Sequence, residues 1–303
     1  MAIAQKLLPI FIETVLPVFL IAFAGYVLAW RMTIDGRSLG RLLFYLATPS
    51  LVFRSLYTTQ VDLGTMQQVA IVSAGVSILA GLAGWVIGFD QPRRERMAIV
   101  LTSAISNNGN MGIPICYFAF GEVGLALGTL YYVVSSFLNN TLGVAVASAG
   151  QASLAVAFRN SLQVPVLYAA IAGLLLNQLG GEIPTPLFRA VDLLANAAVP
   201  GMLVLLGVQL RASPLFQRQA VVWRSSVVRL VAAPLLALAL CVALAVGGVE
   251  RDVLILQASM PTAVMGAVLA TEYDTAPHLV AAVIFMTTVL SMGTLSVVLG
   301  LLL

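Results

Sequence analysis

Three side-chain amides stand together in Ser106-Asn-Asn-Gly-Asn-Met-Gly-Ile-Pro114, inside a stretch otherwise apolar enough to lie in lipid. Asn107, Asn108 and Asn110 donate and accept hydrogen bonds without carrying charge. Their chemistry is recognition rather than proton transfer. Gly109 and Gly112 loosen a helix here, and Pro114 has no N–H to give the carbonyl of Asn110. Lipid offers backbone amides no partner, so an unsatisfied group there costs several kcal/mol. Broken backbone at membrane depth survives where protein or a wet cavity surrounds it. A solute-binding site is therefore expected at this stretch.

A second polar break follows in Ser259-Met-Pro-Thr262, with Gly266 beyond it. The two are prepared alike: Glu95-Arg96 precedes the first by about ten residues, and Glu250-Arg251 precedes the second. At about 1.5 Å per helical residue, Asn107 lies roughly 15 Å in from Met97, and Thr262 roughly 14 Å in from Val253. Both breaks fall near the bilayer midplane. The half-helices that begin near Asn108 and Thr262 then aim their N-termini at one centre, where free amides and partial positive charge favour an anion.

The elements that position these breaks are membrane spans. Hydrophobic residues make up 60% of the chain and charged residues 9%, and the mean hydropathy is +1.02. A spanning helix needs about 20 apolar residues. Ten candidates fit, at 10–30, 38–57, 66–89, 97–120, 123–149, 164–180, 187–210, 220–247, 252–273 and 277–302. The expected fold is all-α and integral to the membrane. The order of features doubles, with Pro49 in the second span and Pro200 in the seventh. Five spans per half is odd, so the second copy enters from the opposite side, as in transporters built on inverted repeats. The halves are expected at 1–150 and 164–303, joined by a linker at 151–163.

Charge orients the chain. Loops after odd-numbered spans carry Arg31, Arg37, Arg41, Arg93, Arg94, Arg96, Arg159, Arg211, Arg218 and Arg224, against Lys6, Arg189 and Arg251 on the other side. The positive-inside rule then places both termini outside, in an inner or plasma membrane. The net charge of +3 reports this orientation, and no nucleic-acid partner is expected.

Other polar residues carry paired readings. Asn107 and Asn110, three apart, share a face of a regular helix, whereas Asn108 points about 100° away toward a neighbouring helix. Ser135 with Asn139, and Ser136 with Asn140, form two faces of the fifth span, either of which lines a cavity or packs. Gln257 and Ser259 divide the same way. Arg54 is placed to clamp a carboxylate or to snorkel outward, with Glu13 and Asp192 as candidate ion-pair partners. Arg229 is expected to snorkel at the cytoplasmic entry of the eighth span. Cys116 and Cys241 read as buried hydrophobes, and His278 as interfacial. No zinc spacing, P-loop, dinucleotide fingerprint or paired-aspartate motif is present, so neither a metal site nor an enzyme is expected. Spans three to five and eight to ten hold no mid-membrane Asp or Glu, which argues against a carboxylate proton relay. No cofactor is expected, and coupling to H+ or Na+ stays open.

In combination these motifs resemble the auxin efflux carrier family, which includes plant PIN auxin exporters and bacterial organic-acid permeases. Asn107 with Met111-Gly-Ile-Pro114 is similar to the family's Asn-x-x-x-Met-Gly-Ile-Pro. Pro261-Thr-Ala263 followed by Ala270-Thr-Glu-Tyr273 is similar to its second-half pattern. Thr48-Pro-Ser-Leu-Val-Phe53 and Leu206-Gly-Val-Gln-Leu210 fit the second and seventh spans.

The resemblance implies the PIN-like, bile-acid-symporter-like fold of ten helices, with broken helices 4 and 9 crossing. Helices 1, 2, 6 and 7 would form a scaffold that dimerises, and helices 3–5 and 8–10 a mobile transport domain. It implies elevator-type export of small organic carboxylates. Asn107 would contact the carboxylate, Thr262 would flank it, and Gly109, Gly112, Pro114 and Pro261 would shape the crossover. Asn108, Asn110, Asn139 and Arg54 complete the candidate substrate contacts. Ser106 stands where plant members have proline, and the pocket is more polar than one for an indole ring. The alternative is a channel with a fixed pore built on the same paired breaks.

Overall fold

The computed structural model describes residues 8–148, 153–211 and 219–303. Lys6, Arg218 and the start of the linker, 151–152, lie outside the described residues. Among those described, the chain is helical, and the only bridge of β type is an isolated antiparallel one between Ser106 and Thr262.

Among the described residues, six helices are long and apolar enough to cross a membrane. They are α1 (Leu8–Arg31), α3 (Leu63–Ile87), the run Asn108–Ala147, α9 (Thr185–Arg211), α10 (Ala220–Ala243) and α13 (Pro277–Leu302). Within Asn108–Ala147, Gly121 takes φ 61° and ψ −147°, a conformation that L side chains rarely adopt, and folds the run into arms α5 (108–120) and α6 (122–147). The other candidate spans are helical but interrupted or less apolar. Between α1 and α3 lies α2 (36–58), which carries Arg37, Arg41 and Arg54. Then α4 (Arg93–Ala104) stops before α5, and α11 (Gly248–Ala258) stops before α12 (Met265–Glu272). The short α7 (Leu154–Ser161) meets α8 (Pro165–Gln178) in a bend of 54°.

Four prolines are met by a widened turn, whereas Pro200 lies inside α9 and Pro261 in the second break. Four π-helical turns, Phe11–Val15, Leu43–Ala47, Asn108–Gly112 and Val228–Ala232, are each followed two residues later by Pro17, Pro49, Pro114 or Pro234. A proline ring lacks the N–H and collides with the carbonyl four residues back; the wider turn carries that carbonyl aside.

Packing divides into two sets of neighbours. α1 and α9 approach until backbones touch, because a Cβ on Gly25 would fall 2.3 Å from the Val204 carbonyl and one on Gly207 1.8 Å from that of Ala22. Gly173 of α8 meets the Phe53 carbonyl of α2 in the same way, at 2.8 Å. Small residues permit such contacts where lipid gives no hydrophobic drive. The second set joins α3, α5, α6, α10 and α11 around Val72, Val76, Cys116, Leu127, Ala237, Cys241 and Leu256.

Candidate functional site

The two breaks meet. Asn107 N–H donates to the Pro261 carbonyl at 2.8 Å, and Ala263 N–H donates to that of Ile105 at 3.2 Å, which forms the bridge across Ser106 and Thr262. Two short extended segments, about 155 residues apart in sequence, thus satisfy each other's backbone in a region where lipid would satisfy neither. The crossing is buried: Ser106, Asn107, Asn108, Ser259 and Thr262 are all at most 5% exposed.

On the second side the polar groups are used up. Thr262 Oγ1 donates to the Thr102 carbonyl at 2.8 Å, and Thr262 N–H donates to Thr287 Oγ1 at 3.2 Å. Ser259 returns its hydroxyl to the Ile255 carbonyl at 2.7 Å.

The first side is different. Asn107 stands just outside the helix, at φ −81° and ψ 55°, and its side-chain Nδ2 is buried without a hydrogen-bond partner. Leaving such a donor bare costs about 1–3 kcal/mol. It sits where α5 begins, and the first-turn N–H groups of a helix have no acceptor within that helix. Gly109 is required by Tyr132, whose Cε2 would lie 2.7 Å from a Cβ there.

Asn108 is committed elsewhere. Its Nδ2 donates to both the backbone carbonyl and Oε1 of Gln257, at 2.8 and 2.9 Å, and its Oδ1 accepts from the Ser106 hydroxyl. This matches the expectation that Asn108 faces a neighbouring helix. Gln257 is fully buried and threads between two glycines. Its Nε2 donates to the Gly128 carbonyl at 3.0 Å, and a Cβ on Gly112 would fall 2.2 Å from its Oε1. Of the two readings for Gln257 and Ser259, packing describes their bonds.

The shared face expected of Asn107 and Asn110 does not form. That spacing argument holds for a regular α-helix, whereas Asn107 is non-helical and Asn108–Gly112 is a π turn. Asn110 is half-buried on that turn. Asn139 lines a groove with Ser77, Leu101, Ala104, Ile105 and Gly143, directly beside the residues that lead into the first break. Pro114 lies at the start of α5's regular part, and Pro261 gives its carbonyl to Asn107.

Arg54 is set among different partners. It donates to Asn196 Oδ1 at 2.7 Å and pairs with Asp192 at 3.2 Å and Glu122 at 3.6 Å. The anticipated partner Asp192 is present, and Glu122 joins it from the turn after Gly121. These groups come from three helices that the sequence places at the same membrane end.

Arg229 overturns the expectation that it snorkels. It is completely buried, and its guanidinium donates to the carbonyls of Ser103, at 2.9 Å, and Ala258. Those carbonyls end α4 and α11. A charge at the centre of a membrane helix costs about 2.5–3.5 kcal/mol even on insertion scales, so it stays buried only with partners of this kind. A signal existed: the arithmetic that set Asn107 at mid-depth also sets Arg229 about 14 Å in from Ala220. Among the described residues no three His, Cys, Asp or Glu side chains gather as a metal site would require.

Comparison with known proteins gives consistent matches. The family model described as "Membrane transport protein" matches residues 10–299. An uncharacterized transporter of Methanothermobacter thermautotrophicus is 31% identical over 294 residues, covering 93% of this chain and 95% of the relative. An uncharacterized transporter of Methanocaldococcus jannaschii is 26% identical, covering 92% of this chain and 95% of its own length. A Rhizobium meliloti protein named "Putative malonate transporter" is 29% identical over 300 residues, covering 93% of this chain and 92% of its own length.

Proposed function

We propose a carrier of small organic carboxylate anions, from the premise that this chain belongs to the membrane transport protein family, the auxin efflux carriers its motifs resemble. It is an integral membrane protein. The observation that carries the substrate class is the unpaired Asn107 Nδ2, buried at the start of a helix whose first amides are free. A carboxylate supplies the acceptors that both lack. The name of the Rhizobium meliloti relative makes malonate the first anion to try.

In this reading the ten helical segments form two inverted five-span repeats, with α4–α5 and α11–α12 as the broken spans. The close packing of α1, α2, α8 and α9 supports a scaffold, which a second copy of the chain would extend into a homodimer. The remaining segments move as the transport domain, in an elevator cycle that exports the anion. The arginine-rich loops face the cytoplasm and both termini lie outside. Burial of the crossing supports a carrier over a fixed pore, because a pore would keep the polar break wet.

The test is uptake of labelled malonate, and of other mono- and dicarboxylates, into proteoliposomes. Saturable uptake whose affinity Asn107→Ala lowers about ten- to hundredfold is expected. Uptake that Asn107→Ala leaves unchanged removes Asn107 from the site, and flux linear in concentration favours the pore.

A further inference from the structure

Arg229 is the one fully buried charged side chain among the described residues, and the carrier reading above gives it no task. Its two carbonyl partners have a common character. Ser103 lies one residue from the end of α4, and Ala258 ends α11. The last carbonyls of a helix lack intrahelical partners and carry a partial charge of about −0.5 per helix end. Two such ends sum to about −1 at the crossing. A guanidinium supplies one fixed positive charge, so the sum is close to neutral.

The neighbouring carbonyls are closed by other donors. Leu101 accepts from Ile105 N–H, Thr102 from the Thr262 hydroxyl, Ile105 from Ala263 N–H, and Ile255 from Ser259 N–H. Gln257 accepts from Asn108. Arg229 takes one carbonyl from each broken span. It reaches both from a third helix, α10, held by the π turn Val228–Ala232 that carries it.

We propose that Arg229 is a built-in counter-cation, a positioning residue that holds the ends of α4 and α11 together and does the electrostatic work a coupling metal cation would otherwise do. The opposing helix N-termini are thereby left free for the anion without sodium. This inference rests on the carrier reading for its functional consequence, but its charge balance can be tested without a substrate.

Two measurements decide it. The first is thermal melting of the purified protein in detergent with sodium exchanged for choline, on wild type, Arg229→Ala and Arg229→Lys. Wild type should melt alike in both salts. Arg229→Ala should melt lower and be raised saturably by millimolar guanidinium or sodium, with urea, the neutral analogue, inert. Arg229→Lys should recover most of the loss, since an ammonium keeps the charge. Saturable stabilisation of wild type by sodium overturns the proposal, as does an Arg229→Ala variant indifferent to every cation. If Arg229→Ala does not fold, the wild-type comparison and Arg229→Lys still decide.

The second is malonate uptake by wild type, expected to be equal in sodium and choline; strict sodium dependence overturns the proposal. In Arg229→Ala the maximal rate should fall about tenfold per carbonyl left bare, and guanidinium should restore it. Absence of malonate uptake altogether would count against the carrier reading, while the melting data would still judge Arg229.

Discussion

The two breaks are joined in backbone and unequal in chemistry. Each contributes a short extended segment to the same bridge, yet Thr262 has both its N–H and its hydroxyl engaged, whereas Asn107 keeps a buried donor with nothing to bind. A shared backbone bridge therefore joins two chemically unequal breaks. At the breaks themselves, Thr262 closes its polar groups and Asn107 holds an unused side-chain donor. Substrate preference is expected to follow residues of the first break, and stability those of the second and of the Asn108–Gln257 tie.

The strongest test sets glycine against glycine. Gly112 lies after the first break and Gly266 after the second. A Cβ on Gly112 would fall 2.2 Å from Gln257 Oε1 and 2.9 Å from its Cδ; on Gly266 the nearest atom is Ile105 Cδ1 at 3.0 Å. Gln257 cannot retreat without dropping Asn108 and the Gly128 carbonyl, whereas the end of an isoleucine side chain can. Gly112→Ala should cost about 3 kcal/mol or more, combining overpacking with broken buried hydrogen bonds. Gly266→Ala should stay within about 1 kcal/mol, since alanine's helix preference offsets a small rearrangement. Melting curves of the two variants check this, and equal losses would erase the distinction between the breaks.

The second test separates function from stability. Asn107→Ala removes a donor that is already unpaired, so melting should hardly change, or should rise. Malonate affinity should fall about ten- to hundredfold, the worth of a hydrogen bond to a charged group. Thr262→Val should do the reverse. It strips the hydroxyl from the Thr102 carbonyl and costs about 1–2 kcal/mol of stability, with uptake retained in whatever protein is folded. If both variants lose affinity equally, the site is two-sided and the asymmetry is wrong.

How much of this could be read in advance depends on the range of the cause. The two breaks, their similar depth, the orientation of Asn108 and the Arg54–Asp192 pairing follow from residue type, spacing and charge placement along single spans. The roles of Gln257 and Arg229 do not. Gln257 is fixed by Asn108 and Gly128, 149 and 129 residues away, and Arg229 by Ser103, 126 residues away. A lone polar residue in an apolar helix carries no mark of which remote carbonyl it will meet. The π turns were missed for a local reason: the sequence shows that proline must disturb a helix, but not whether the helix breaks or widens. That same widening dissolved the expected pairing of Asn107 with Asn110.

The smallest expected effect concerns how each broken span is approached. The turn into α4 is tied to distant parts of the chain. Asp90 accepts two hydrogen bonds from Arg224 at 2.9 and 2.8 Å, and Arg94 pairs with Asp274 at 2.7 Å. Among the described residues, the entry to α11 shows a local pair between adjacent residues, Arg251 and Asp252. Arg224 belongs to the same helix as Arg229, so the exposed Asp90 pair and the buried guanidinium clamp α10 to α4 at two depths. Hydrogen bonding from Arg224 holds the Asp90 carboxyl below its ordinary value of 3.8. A depressed folded-state value means that the pair stabilises above the ordinary carboxylate range and that its contribution is lost as pH falls through the lowered value. Wild type should therefore melt slightly above Asp90→Asn near neutral pH. The gap should close below about pH 4 and shrink in high salt, because the pair is exposed and screened. Asp252→Asn at the other entry should leave the melting of α4's attachments unchanged. A gap for Asp90→Asn that persists in acid would mean that the Asp90 charge is not what ties α10 to the turn before α4.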